Sequence, residues 1–233
     1  MGGSDRDTSR RIYWIGGSKG GVGKSMMTIA TIDYVISRGD KVLLVECDTS
    51  NPDVWMAYKD ELETDLVDLD DADGWIQLVN TCEGHKDSVV VVNTAARNNH
   101  AVKRFGQTLD GSLEELSSKL VALWVINRQR DSLELLRQFM DAVPKANVHV
   151  VRNGYFGGEG KFELYNTSSV RTLVEAQGGK SVTLPDLADR VADDIYTQRL
   201  PLSVAAKTLP IGNRAELGRW RGEVRKVLAE VVS

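Results

Sequence analysis

Residues 11–25 read RIYWIGGSKGGVGKS: a short apolar run, a glycine-rich loop closed by Gly23-Lys24-Ser25, and then helical spacing. This pattern constrains the chain to strand, tight loop and helix in that order. The glycines let backbone N–H groups curl inward around an anion, and the helix adds its positive end. The usual form of such a phosphate-binding loop begins with a glycine where this chain has Ser18. Gly20, Gly21, Val22, Gly23, Lys24, Ser25 and Met26 form the candidate phosphate-binding set. Within it Lys24 can lie along the β- and γ-phosphate oxygens, and the Ser25 hydroxyl can reach Mg²⁺. A second lysine, Lys19, precedes the glycines, where the ordinary loop carries no charge. The competing reading, a glycine-rich turn with two solvated lysines, does not account for the strand before it and the helix after it.

A chain of 233 residues can bury one substantial core. Residues 1–10, MGGSDRDTSR, are expected to be a disordered tail and residues 11–233 a single domain. That tail lacks the apolar segment of a secretion signal, and Arg6 breaks the myristoylation pattern. A formal net charge of −4 argues against a surface built throughout for nucleic acid. Two cysteines, Cys47 and Cys82, give neither a disulfide framework nor zinc spacing, which points to a reducing compartment, the cytoplasm. No apolar run approaches the roughly 20 residues that span a bilayer.

Apolar β-rich runs alternate with helical segments along the chain. Strands are expected at Ile12–Ile15, Lys41–Cys47, Ser88–Asn93, Val121–Ile126, Val148–Val151 and Ser181–Leu184. The valines of Ser88–Asn93 have no polar face, as in a central strand covered on both sides. Helices over 24–38 and over DSLELLRQFMDAV separate these strands, so right-handed crossovers and an α/β fold with a mostly parallel central sheet follow. Residues 60–73, DELETDLVDLDDAD, carry eight acidic side chains. They read either as a solvated helix with Leu62, Leu66 and Leu69 inward or as a docking surface for a basic partner.

The arrangement K-G-G-V-G-K-S over residues 19–25 resembles the deviant Walker A loop of the ParA/MinD family of P-loop ATPases. The resemblance implies ATP and Mg²⁺ as cofactors and a homodimer in the ATP state, with Lys19 reaching the partner's nucleotide. Lys19, Lys24 and Asp48 would then be the catalytic residues. Asp48, in VLLVECDTSNPDV, matches the family's second-motif aspartate, which places the magnesium shell and the attacking water. Glu46 stands where the family commonly has the motif's first aspartate; without the loop, the segment would read only as a turn. In the third motif, SVVVVNTAA, Asn93 replaces the family's Walker B aspartate. It can accept from a magnesium-bound water but brings no charge, so Asn93→Asp would be expected to tighten the ion; it also reads as a strand-closing turn. Ser25, Asp48 and Asn93 are thus the candidate metal set.

Thr94-Ala95-Ala96-Arg97 occupies the place of the family's γ-phosphate switch. Asn153 would read the adenine, with Asn127 the second choice, and Pro185 and Asp186 would pack beside the base. The final segment, RAELGRWRGEVRKVLAEVVS, is amphipathic. It is read first as packing on the core, next as offering arginines to nonspecific DNA and last as a membrane helix. The resemblance therefore implies a dimerising ATPase switch acting in plasmid partition, conjugative transfer or cargo positioning, recruited or stimulated by a partner protein. With ten residues before the first strand, no helix-turn-helix domain is expected there. Two other classes compete: a metabolic or iron–sulfur enzyme on the same scaffold, against which the positions of Cys47 and Cys82 argue, and a nucleotide-gated module that no longer hydrolyses.

Overall fold

Strand β1 (Arg10–Gly17) enters the loop through a stretch with two apolar faces, Ile12 and Trp14 to one side and Tyr13 and Ile15 to the other. The computed structural model describes residues 10–18 and 20–232, so Lys19 lies outside the described residues. Helix α1 (Lys24–Ser37) leads to β2 (Val42–Glu46), α2 (Asp53–Tyr58) and β3 (Glu63–Leu66). There follow α3 (Ala72–Gly84), β4 (Val89–Asn93), α4 (Asn99–Ser112), β5 (Ser118–Ile126), α5 (Asp131–Ala142) and β6 (Asn147–Asn153). The short α6 (Glu163–Asn166) and α7 (Ser169–Ala176) precede β7 (Ser181–Leu184), and α8 (Asp189–Thr197), α9 (Leu202–Thr208) and α10 (Ile211–Val231) close the chain.

The sheet has seven strands in the order β3-β2-β4-β1-β5-β6-β7, and every pairing is parallel. This is the P-loop α/β architecture. One apolar layer packs α1, α8, α9 and α10 against Tyr13, Leu44, Val91, Leu123 and Val151. The other packs α3, α4, α5 and α7 against Trp14, Val45, Val90, Val92 and Trp124. Strand β4 is buried between β2 and β1, which is why its valine run needs no polar face. The crossovers on the two faces diverge at β1. The crevice beyond its carboxyl end is therefore the open site such sheets provide for a ligand.

Residues 60–73 depart from the helical expectation. Glu63–Leu66 instead forms the edge strand β3, paired with Leu43–Glu46. Leu69 is buried and Leu62 half-buried, but Leu66 is exposed. The open edge of β2 offers backbone partners that a short acidic helix could not match, and tertiary pairing overrides local propensity. The acids of this segment serve locally: Asp71 accepts from the Gly74 N–H at the start of α3, and Asp65 accepts from Thr81 Oγ1 at 2.7 Å. Cys47 lies one residue past β2 rather than inside a strand. Among the described residues no helix is long and apolar enough to cross a membrane.

Helix α10 packs on the body: Leu217, Trp220, Val224, Leu228 and Val231 are buried in the layer that also holds α1. Three of its arginines pair with acids, Arg219 with Glu216 and Glu223, Arg221 and Arg225 with Asp33, while Arg214 donates to the Lys207 carbonyl. The Trp220 indole N–H also donates to the Pro185 carbonyl at 2.8 Å, tying the segment after β7 to α10. Trp220→Ala is expected to cost about 3–5 kcal/mol in urea unfolding, as for other buried tryptophans. Trp220→Phe keeps most of the volume but loses the N–H, and should cost less; a loss under ~1 kcal/mol for the alanine variant would contradict this packing.

Candidate functional site

The loop after β1 takes its shape from two left-handed glycines, Gly21 at φ +78° and Gly23 at φ +103°. A side chain at Gly21 would be strained by its backbone, and one at Gly23 would also strike the Asn153 amide. Gly20 and Gly21 have open space beside them where a Cβ would sit. Gly23 precedes α1 without a side-chain cap, so the helix start presents its N–H groups to the loop's interior.

Ser18, in place of the usual first glycine, is buried with its Oγ 2.8 Å from Ser132 Oγ at the start of α5. The Asn99 amide donates to the Gly17 carbonyl at 3.2 Å, and Asn153 Nδ2 donates to the Val22 carbonyl at 2.9 Å. The loop is thus fastened from α4, α5 and β6. Lys24 is buried; burial pulls its pKa down, opposed by the Asp48 and Glu46 carboxylates. Ser25 and Met26 follow on the first turn, both half-buried. Of the candidate metal set, Ser25 and Asp48 offer the oxygen atoms that suit a hard cation such as Mg²⁺, which keeps most of its own waters; among the described residues no cluster of three or more His, Cys, Asp or Glu side chains could hold an ion by itself.

Beneath the loop lies a buried clasp. The Glu46 carboxylate, at the end of β2, accepts from Asn93 Nδ2 at 2.9 and 3.0 Å and from the Asp48 N–H at 2.9 Å. Asn93 Oδ1 accepts in turn from Thr28 Oγ1 of α1 at 2.8 Å. Asn93 was expected to offer its oxygen to magnesium's waters; here both ends of its amide already have protein partners. Burial pushes the Glu46 carboxyl up to about 7, although the hydrogen bonds from Asn93, Asp48 and Trp55 pull the other way.

Asp48 sits at the rim, half-buried. Its Oδ1 accepts from Ser50 Oγ at 2.7 Å and from Arg97 Nη1 at 3.4 Å. Arg97 is the hub: Nε donates to Asp70 at 2.7 Å, Nη1 to Ser50 Oγ at 2.8 Å and Nη2 to Thr49 Oγ1 at 2.8 Å. Asp68 lies 3.6 Å from the guanidinium. The segment after β4 is thereby linked to both the Asp48 turn and the acidic run. In the sequence Arg97 was read only as the last residue of the switch-like segment Thr94-Ala95-Ala96-Arg97, with nothing to mark it as the partner of Asp48, Thr49, Ser50 and Asp70. Thr28, Ser132 and Asn99 gave no signal at all, since their roles need strands far apart in sequence.

On the other side of the loop, Gly21, Gly23, Asn153, Tyr155, Pro185 and Asp186 line a cavity of ≈ 460 Å³ that Trp220 closes from behind. Asn153 ties the loop and the following turn, its Oδ1 accepting from the Tyr155 N–H at 3.1 Å, and retains a second amide hydrogen and lone pair. Tyr155 is exposed at the mouth and stands edge-on to Phe156. Asn127 is elsewhere: its Oδ1 accepts from the Gln129 N–H and Ser132 Oγ, closing the β5–α5 turn.

Residues 13–153 match the CobQ/CobB/MinD/ParA nucleotide binding domain. The chain belongs to this family. It is 66% identical over 224 residues to Protein MobD of Acidithiobacillus ferrooxidans, covering 96% of this chain and 99% of that one. Among solved structures it resembles the MinD cell division protein of Aquifex aeolicus, with TM-score 0.56 and 17% identity over 93% of this chain and 97% of that one. It also resembles a putative plasmid partition protein of Borrelia burgdorferi bound to AMPPNP, with TM-score 0.58 and 15% identity over 95% of this chain and 99% of that one.

The Glu46 carboxyl gives a pH signature in the nucleotide-free protein. Its folded pKa lies above its unfolded one, so between them the folded state holds the extra proton. Its contribution is complete below about 4.5 and is lost as pH rises through about 7. The stability of wild type relative to Glu46→Gln should therefore fall across that window, by on the order of 2–4 kcal/mol. Denaturant titrations at intervals of pH read this directly, and a difference independent of pH would place the Glu46 carboxyl at its ordinary value.

Proposed function

We propose that this protein is an ATP-dependent switch of the ParA type, which binds Mg–ATP, dimerises around it and separates after slow hydrolysis. The observation that carries the reading is the phosphate cradle: two left-handed glycines and the uncapped start of α1, with the buried Lys24 behind them. In this reading Lys24 lies along the β- and γ-phosphate oxygens and the Ser25 hydroxyl takes a place beside the ion. Bound Mg²⁺ would supply neutralisation of the phosphate charge. Asp48 orients the attacking water, and the cavity of Asn153, Tyr155, Pro185 and Asp186 takes the base. Lys19 acts across the dimer, as the resemblance implies. Residues 11–233 act as one ATPase domain.

Two processes fit the neighbours. A relative named MobD supports a role in mobilisation, and a partition protein on the same fold supports the wider class of positioning switches. The partner would be a protein that stimulates or recruits the ATP-bound dimer, and buried unpaired thiols suit action in the cytoplasm. Nonspecific DNA contact has weaker support from α10 than its arginine content implies, because Arg219, Arg221 and Arg225 are held by acids. The membrane reading has less still, since the apolar face of α10 is covered. A nucleotide-gated module without turnover is the second reading, favoured by the amide at Asn93; phosphate release with and without DNA separates the two.

Lys24→Ala is expected to abolish binding of labelled ATP at equilibrium, because the polyphosphate loses its buried counter-charge. Near-wild-type affinity would remove the loop from the function. Lys19→Ala should keep that affinity and fail to double in mass with a nonhydrolysable analogue, as read by light scattering. Asp48→Ala should retain nucleotide and stop turnover.

A further inference from the structure

Strand β6 ends on two side chains that face opposite sides of the sheet, as successive strand residues do. Asn153 turns toward the phosphate loop, where its amide holds the Val22 carbonyl. Arg152 turns the other way and is buried, with 3% of the residue exposed. Its Nε donates to Thr183 Oγ1 at 3.1 Å and its Nη2 to the Ser181 carbonyl at 3.3 Å. A buried guanidinium also needs a counter-charge. Among the described residues the acid paired with it is Glu159, 3.1 Å away, whose own side chain is largely exposed. Glu159 stands on the turn that follows β6, residues 154–161, GYFGGEGK. The four glycines give this turn little stiffness of its own, and Gly157, at φ +113°, has a backbone that other residues rarely adopt. A Cβ on Gly154 would stand 2.5 Å from the Leu184 carbonyl oxygen, so the turn begins hard against the Leu184–Asp186 wall of the base cavity. Tyr155 follows at the cavity's mouth with 64% of its surface exposed. Phe156 packs on the apolar layer of α3, α4 and α5 and meets the Tyr155 ring edge-on, centroids 5.3 Å apart. A ring braced in this way offers its surface to whatever fills the cavity.

We propose that Tyr155 is the stacking platform for the nucleobase and that Glu159, anchored on the buried Arg152, is the positioning residue that holds the turn, and so the ring, at the mouth of the cavity. The inference rests on the reading that this cavity takes the base of a bound nucleotide. Stacking needs a ring held at one height and tilt, whereas a turn so rich in glycine would by itself sample many. Asn153 fixes the near end of the turn by accepting from the Tyr155 N–H, and the Arg152–Glu159 pair fixes the far end. The ring lies between the two ties. For stability alone an apolar side chain at position 152 would serve the core as well as an ion pair. What the pair adds is a fixed place for the turn.

The test measures binding of Mg–ATP and of magnesium tripolyphosphate by calorimetry, the second probe carrying the phosphates without a base. The variants are Tyr155→Leu, Tyr155→Phe, Glu159→Ala and the pair Tyr155→Leu/Glu159→Ala. ATP affinity should fall at least about fivefold in Tyr155→Leu, within the range of base–aromatic stacking, and less than about twofold in Tyr155→Phe, which keeps the ring. Glu159→Ala should weaken ATP about threefold or more, yet cost less than about 1.5-fold when added to Tyr155→Leu, because its effect passes through the ring. Tripolyphosphate affinity should stay within about twofold throughout, since the phosphate cradle is untouched. If Tyr155→Leu or Glu159→Ala binds ATP like wild type, if the two losses multiply in the pair, or if tripolyphosphate weakens along with ATP, the inference is overturned and the ion pair only fastens the fold. Should Glu159→Ala fail to fold, Glu159→Gln, which keeps an acceptor for the guanidinium without the charge, takes its place in the cycle. Wild type that binds ATP no more tightly than tripolyphosphate has no base subsite, and the inference falls while the cradle stands. Wild type that binds neither overturns the nucleotide reading itself, and the inference with it.

Discussion

An open ring of backbone donors holds its shape only if other parts of the molecule fix it. Residues 20–23 have left-handed glycines and an uncapped helix start, a conformation with little local support of its own. The support comes from outside: Ser18 on Ser132, Asn99 on the Gly17 carbonyl and Asn153 on the Val22 carbonyl. These anchors stand on α5, α4 and β6, which follow the loop in sequence by more than 80 residues in the nearest case. The parallel sheet exists in this form to bring them together at the carboxyl end of β1.

The same end of the sheet concentrates charge that a solvent-exposed loop would not hold. Lys24, Glu46 and Asp48 lie within reach of one another, two of them buried; both carboxylates favour the charged lysine, and the Asp48 charge disfavours ionisation of Glu46. Burial alone would leave the lysine and the glutamate strongly disfavoured as ions. Arg97 gathers Asp48, Asp68 and Asp70 around one guanidinium, which offsets part of the negative charge those acids bring to the rim.

The fold was legible from the alternation of apolar strands and helices, and the glycine-rich turn between β1 and α1 from a dozen consecutive residues. Less legible was the acidic run at 60–73, where charge density suggested a solvated helix and the free edge of β2 captured a strand instead. Asn93 was visible as a departure from the resemblance, but its sequence neighbours gave no indication that its amide is held by Glu46 and Thr28. Arg97 was visible only as the last residue of a switch-like segment, and its three acidic partners come from two other segments.

Taken alone, the sequence determined the elements whose signals are local: the strand–loop–helix at 11–37, the valine strand β4 and the amphipathic closing helix. Hydrophobic periodicity and glycine placement act over a few residues, and so they survive without context. Tertiary structure alone decided the strand order that inserts β4 between β1 and β2 and the register that faces Glu46 with Asn93. Those depend on which strands bury one another, a property of the whole sheet. A side chain's role in such a site is set by its neighbour across the sheet, and a parallel sheet draws that neighbour from a distant part of the chain.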